Sequence, residues 1–72
     1  MKNIDRIRKY IVTRREQGIL MPGDKLPSYK AMMEMFDISY LTVSSIINKL
    51  AEEGLVETRR GQGSYIAGSG RL

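Results

Sequence analysis

Two serines and one aspartate constrain the middle of this chain more than any other feature. Ser28 opens a short apolar-rich run that ends at Phe36, and Asp37 interrupts it. Ser39 opens a second run in which Val43, Ile46, Ile47 and Leu50 fall at i, i+3, i+4 and i+7. Serine is a favoured N-cap because its side-chain oxygen accepts a backbone N–H that the first helical turn leaves unpaired. Aspartate is one of the few residues besides glycine that tolerates the left-handed region. The four apolar residues share one helical stripe that must be covered by the rest of the chain. The spacing therefore predicts a helix through Phe36, a tight turn, and an amphipathic helix that Gly54 ends. Two helices joined by so short a turn form a helix-turn-helix.

The flanks supply the cover. Ile4, Ile7 and Ile11 recur at helical spacing, which predicts a first helix over residues 3–18, with Asn3 capping its start and Gly18 stopping it. Pro22-Gly23 is a turn signal, because Pro presets φ at the second turn position and Gly accepts positive φ at the third. Lys25 and Leu26 form a short strand that Pro27 must end or confine to an edge, having no N–H to donate. After Gly54 the period changes. "LVETRR" and "SYIA" read as two strands around a tip in which Gly61 and Gly63 supply the freedom a hairpin needs. Val56 and Thr58 alternate with Glu57 and Arg59. Met32, Met33 and Met35 read as core filler. The predicted fold is α+β: a winged helix-turn-helix with three helices and a short two- or three-stranded antiparallel sheet. Residues 1–67 form the domain, and 68–72 ("GSGRL") read as a linker or tail by composition.

Composition narrows the function. The chain has 72 residues, one small domain with no room for a second, catalytic one. With no Cys and no His, it has no thiol nucleophile, no imidazole base and no zinc site built from those residues. No cofactor and no metal is expected, and no cluster of nucleophile, base and oxyanion donors can be placed, so the chain does not read as an enzyme. A net charge of +4, from twelve Lys/Arg against eight Asp/Glu, favours a polyanionic partner. No apolar run approaches the roughly 18 residues that span a membrane, and no signal peptide is visible.

Three stretches go further than periodicity. "GILMPGDKLPS" (residues 18–28), "DISYLTV" (37–43) and "LAEEGLVETRRGQGSYIA" (50–67), at their spacing in this chain, resemble the N-terminal DNA-binding domain of the GntR family of bacterial transcription regulators. The resemblance covers most of the chain. It implies a regulator, in most members a repressor, that binds a palindromic operator in double-stranded DNA as a homodimer. It also implies a separate C-terminal domain that binds a small-molecule effector, and a cytoplasmic location, on the nucleoid when bound to DNA.

The resemblance assigns roles to particular positions. Lys30 stands where the family commonly has an Arg that reaches DNA. Tyr40 and Ser44 stand where Arg is common in the turn and third helix, so both of those guanidinium groups are missing. Met33 stands where a small residue usually faces the third helix. Arg paired with guanine is the commonest specific contact in the major groove, so this helix must read by other means. Ser39, Thr42 and Ser44 have hydroxyls that donate to phosphate or base edges. Tyr40 offers its hydroxyl and Leu41 packs on a thymine methyl. Lys30, Arg59, Arg60 and part of the basic first helix serve as phosphate clamps, and Gln62 and Gly63 complete the wing tip.

Each of these residues also has a plainer role. Ser39 is first an N-cap, Thr42 serves the first turn, Gly61 and Gly63 shape the hairpin, and the basic residues of the first helix form a solvated face. Exposed Tyr40 and Leu41 also suit a different class of function, a winged-helix protein–protein interaction module without sequence-specific DNA binding.

Overall fold

The computed structural model describes residues 2–59, 61 and 63–67. Three helices precede a hairpin: α1 (Asn3–Glu16), α2 (Tyr29–Phe36), α3 (Tyr40–Glu52), β1 (Val56–Arg59) and β2 (Gly63–Ile66). The strands pair antiparallel, with Val56 opposite Ile66 and Arg59 opposite Gly63.

Local chemistry sets the helix ends. The Ser28 hydroxyl accepts the Ala31 N–H at 3.0 Å, and the Ser39 hydroxyl accepts that of Thr42 at 3.2 Å. Asp37 takes the left-handed conformation at φ 56° and closes α2, while the Ile38 N–H reaches back to the Met33 carbonyl. At the end of α3, Gly54 sits at φ 82°. Its N–H bonds the Ala51 carbonyl and the Leu55 N–H bonds that of Leu50, the paired closure that a left-handed glycine permits. The start of α1 differs from expectation. Lys2 occupies the cap position without a side-chain bond, and Asn3 is the first helical residue. The Asn3 side-chain oxygen is turned instead to the Arg6 guanidinium, 3.1 Å away.

The core lies between the three helices and the base of the hairpin. Ile7 and Ile11 of α1 meet Met32 of α2, the Val43, Ile46, Ile47 and Leu50 stripe of α3, and Leu26, Val56 and Ile66. Each such side chain contributes about 1.5–3 kcal/mol when fully buried. The eight-residue α2 buries only one side: Met32 is 1 % exposed, Met33 is partly buried, and Met35 is 47 % exposed. Met35 is therefore not core filler, because it points away from the one stripe that so short a helix can bury.

The strand expected at Lys25–Leu26 is reduced to one bridge, Lys25 opposite Tyr65. The Leu26 N–H bonds the Ser64 carbonyl at 2.8 Å, and Pro27 then ends the ladder. The Met21–Asp24 turn before it has Gly23 at φ 89° and the Asp24 N–H bonded to the Met21 carbonyl. In β1 only Val56 is buried, and Thr58 is exposed. β2 keeps its alternation, with Ser64 and Ile66 buried, because Lys25 and Leu26 lie along it and leave β1 as the open edge. No described helix is long and apolar enough to cross a membrane.

Candidate nucleic-acid interface

The α3 stripe is consumed by the core, so the opposite side of α3 faces outward at the edge of the domain. Its first residues are exposed: Leu41 is 78 % accessible and Tyr40 is 55 %. The Tyr40 ring rests against the Tyr29 ring of α2, with centroids 5.6 Å apart. The Ser39 and Thr42 hydroxyls lie 2.9 Å apart and are bonded to each other. Both are thus used in closing the helix start, and the pair keeps one hydroxyl proton for an outside acceptor. Ser44 is half-buried one turn further along, and Lys30 stands exposed in the first turn of α2.

α3 and the wing enclose a cleft of about 690 Å³. Tyr29, Tyr40 and Asn48 line the helix side, and Thr58, Arg59 and Gly63 line the wing side. The Arg59 guanidinium stacks on the Tyr65 ring at 4.3 Å and lies 3.7 Å from the Glu57 carboxylate. These contacts hold the cation in place while leaving its side chain half exposed. Lys25 joins the same lining, and its Cε lies 3.4 Å from where a Cβ on Gly63 would stand. The Ser64 hydroxyl in the cleft lining is buried with no hydrogen-bond partner among the described residues.

The cleft brings together Tyr40, Arg59 and Gly63 of the residues singled out from sequence. Lys30, Ser39, Leu41, Thr42 and Ser44 lie outside its lining, on or beside the same helix start. Arg60 and Gln62 fall outside the described residues. Lys25, Tyr29, Asn48 and Thr58 were missed. A helical wheel finds Asn48, which follows Tyr40 and Ser44 at four-residue steps. Lys25 is brought in only by its bridge to Tyr65.

The first helix is less available than its charge suggests. Arg8 bonds Asp5 at 2.8 Å and Glu53 at 2.6 and 3.1 Å, tying α1 to the end of α3. The hydrogen bonds from Arg8, and secondarily its charge, hold the Glu53 carboxyl below its ordinary value, and the same pairing raises Arg8. Arg6 donates to the Phe36 carbonyl at 3.2 Å and lies over the Phe36 ring, and Arg14 stacks on Tyr10 at 4.2 Å. Arg8 and Arg6 thus tie α1 to the ends of α3 and α2, whereas the Arg14 contact stays within α1.

A helix-turn-helix whose second helix borders a two-stranded wing defines the winged helix-turn-helix class. The model for "Bacterial regulatory proteins, gntR family" matches residues 3–66, and the chain belongs to that family. It is 43 % identical over 51 residues to the HTH-type transcriptional repressor YtrA of Bacillus subtilis (strain 168), a match covering 71 % of this chain and 39 % of that protein. It is 37 % identical over 62 residues to the mannosyl-D-glycerate transport/metabolism system repressor MngR of Escherichia coli (strain K12), covering 86 % of this chain and 24 % of MngR. The chain thus spans less than half the length of these relatives. The structure of the AraR DNA-binding domain in complex with operator ORE1 superposes with a TM-score of 0.81 at 25 % identity, covering 93 % of this chain and 82 % of that one. The named relatives are transcriptional regulators, not enzymes.

Proposed function

We propose that residues 1–67 form the DNA-reading domain of a transcriptional repressor. α3 lies in the major groove with the start of the helix foremost, and the wing lies along the adjacent backbone. The observation that carries this reading is the cleft between α3 and the wing, with Arg59 and Lys25 in its lining and exposed Tyr40 at the helix start. The superposition on AraR bound to its operator supports it. Phosphates are held by Lys30, Arg59 and Arg60, with the free N–H groups at the start of α3 as neutral partners. Bases are read by Tyr40 and Leu41, with Ser39, Thr42, Ser44 and the Gln62–Gly63 tip alongside.

The operator is a palindrome bound by two copies, whose half-sites lie about one helical turn apart. Dimerisation and response to a small-molecule effector belong to a C-terminal domain reached through residues 68–72. The protein acts in the cytoplasm, at the nucleoid when bound.

A fluorescence-anisotropy titration with random duplex DNA tests the core of the proposal. Affinity must fall as salt rises, because each phosphate contact releases condensed counterions. Leu41, at 78 % exposure, favours the second reading, a protein-docking edge. Absence of salt-dependent DNA binding at low ionic strength overturns the first reading and leaves the second standing.

A further inference from the structure

We infer that Asn48 reads an adenine in the major groove. The inference rests on the DNA-binding reading above and adds the residue that supplies two-point hydrogen bonding to a helix without arginine. α3 commits Val43, Ile46, Ile47 and Leu50 to the core. Its exposed side chains beyond Tyr40 are Leu41, Ser45, Asn48, Lys49 and Glu52. Leu41 has no polar atom, Ser45 has a single hydroxyl, Lys49 only donates, and Glu52 only accepts and is repelled by phosphate. Asn48 alone among them carries a donor and an acceptor on one planar group. That pair fits the N6 amino group and N7 of adenine, which an asparagine amide engages together.

Placement agrees with chemistry. Asn48 lines the cleft with Tyr40, across from Thr58 on the wing. Eight residues of helix separate Asn48 from Tyr40, about 12 Å of rise. With α3 lying along the major groove, residues two turns apart on its outer side face successive base edges. The Asn48 amide makes no hydrogen bond to the other described residues, so binding to a base breaks no contact of the fold.

Binding-site selection from a random duplex library, at low salt, with the wild-type chain, Asn48→Ala and Asn48→Asp tests this. Circular dichroism checks that the variants fold, as an exposed position allows. The expected result is an adenine enriched at one position by the wild type. Both variants lose that enrichment; Asn48→Ala shows a roughly ten-fold loss of affinity for the adenine-bearing duplex and little change for the duplex substituted there, while Asn48→Asp also weakens every duplex through its charge. A wild-type motif that Asn48→Ala reproduces unchanged overturns the inference while leaving the DNA-binding proposal intact. Uniform weakening on every duplex by Asn48→Ala makes Asn48 a phosphate contact and also overturns it. If the wild type selects no motif, sequence-specific reading itself fails, and this inference with it.

Discussion

Tyr29 of α2 and Tyr40 of α3 join the two helices of the motif at its outer edge, their rings 5.6 Å apart and inclined at 50°. Such a ring pair contributes about 0.5–1.5 kcal/mol beyond the area it buries. The first exposed side chain of α3 is therefore seated by its neighbour helix as well as by its own backbone. The cleft opens directly beside it.

Replacing Tyr40 should thus change sequence preference before it changes stability. Tyr40→Arg is expected to strengthen binding to all duplexes through its charge and to add a guanine preference of about 1–3 kcal/mol at one position. Tyr40→Ala is expected to blunt the native preference while leaving the salt slope nearly unchanged, because tyrosine exchanges no counterion. Site selection at matched salt, with wild type and both variants, makes the comparison. Identical motifs from all three place Tyr40 away from the bases.

Arg59 should act without regard to sequence. Its guanidinium stands on the Tyr65 ring at the cleft. Arg59→Ala is expected to weaken binding to specific and random duplexes alike and to lower the slope of log affinity against log salt by about 0.9. Adding Arg60→Ala should lower it by a similar step. An unchanged slope for both variants puts the wing off the DNA.

The wing itself depends on Gly63, whose φ of 105° an L side chain rarely adopts. Gly63→Ala is expected to cost about 1–3 kcal/mol in backbone strain. Space is not the obstacle, since the nearest atom to an added Cβ is Lys25 Cε at 3.4 Å. Thermal denaturation measures the cost. Full stability in Gly63→Ala means that the backbone there relaxes to an ordinary conformation.

The Arg8–Glu53 bridge predicts an acid-sensitive component of stability. The Glu53 carboxyl is held below the ordinary carboxylate range, chiefly by hydrogen bonds from Arg8. The folded state therefore binds that proton less readily than the unfolded chain does. The stabilisation is complete above the unfolded value and is lost as pH falls through the lowered folded one. Glu53→Gln should reduce Tm at neutral pH, and its deficit against wild type should close as the solution is acidified. A deficit that does not vary with pH assigns the effect to packing.

Much of this molecule is decided locally. Ser28, Asp37, Ser39 and Gly54 place the ends of two helices through bonds within a few residues of each, and the Val43–Leu50 stripe fixes which side of α3 is buried. The glycine-rich tip sets the hairpin by the same short-range logic. Those signals, with the quoted family motifs, carried the winged helix-turn-helix and the outward position of Tyr40 and Leu41.

What the sequence left open depends on contacts between distant segments. That Arg8 pairs with Glu53 and Arg6 with the Phe36 carbonyl depends on how the helices pack, and the charge pattern of the first helix does not carry it. Thr58 alternates with Val56 as an inward residue would, but it is exposed on the open edge strand while Ser64 opposite it is buried. Lys25 reads as part of a short strand with no assigned neighbour until its bridge to Tyr65 places it beside the wing. Caps, turns and periodicity are properties of a few neighbouring residues and can be read from their order. Which cation is engaged and which face of a strand is covered depend on what packs against them, and that is settled only when all five elements close on one core.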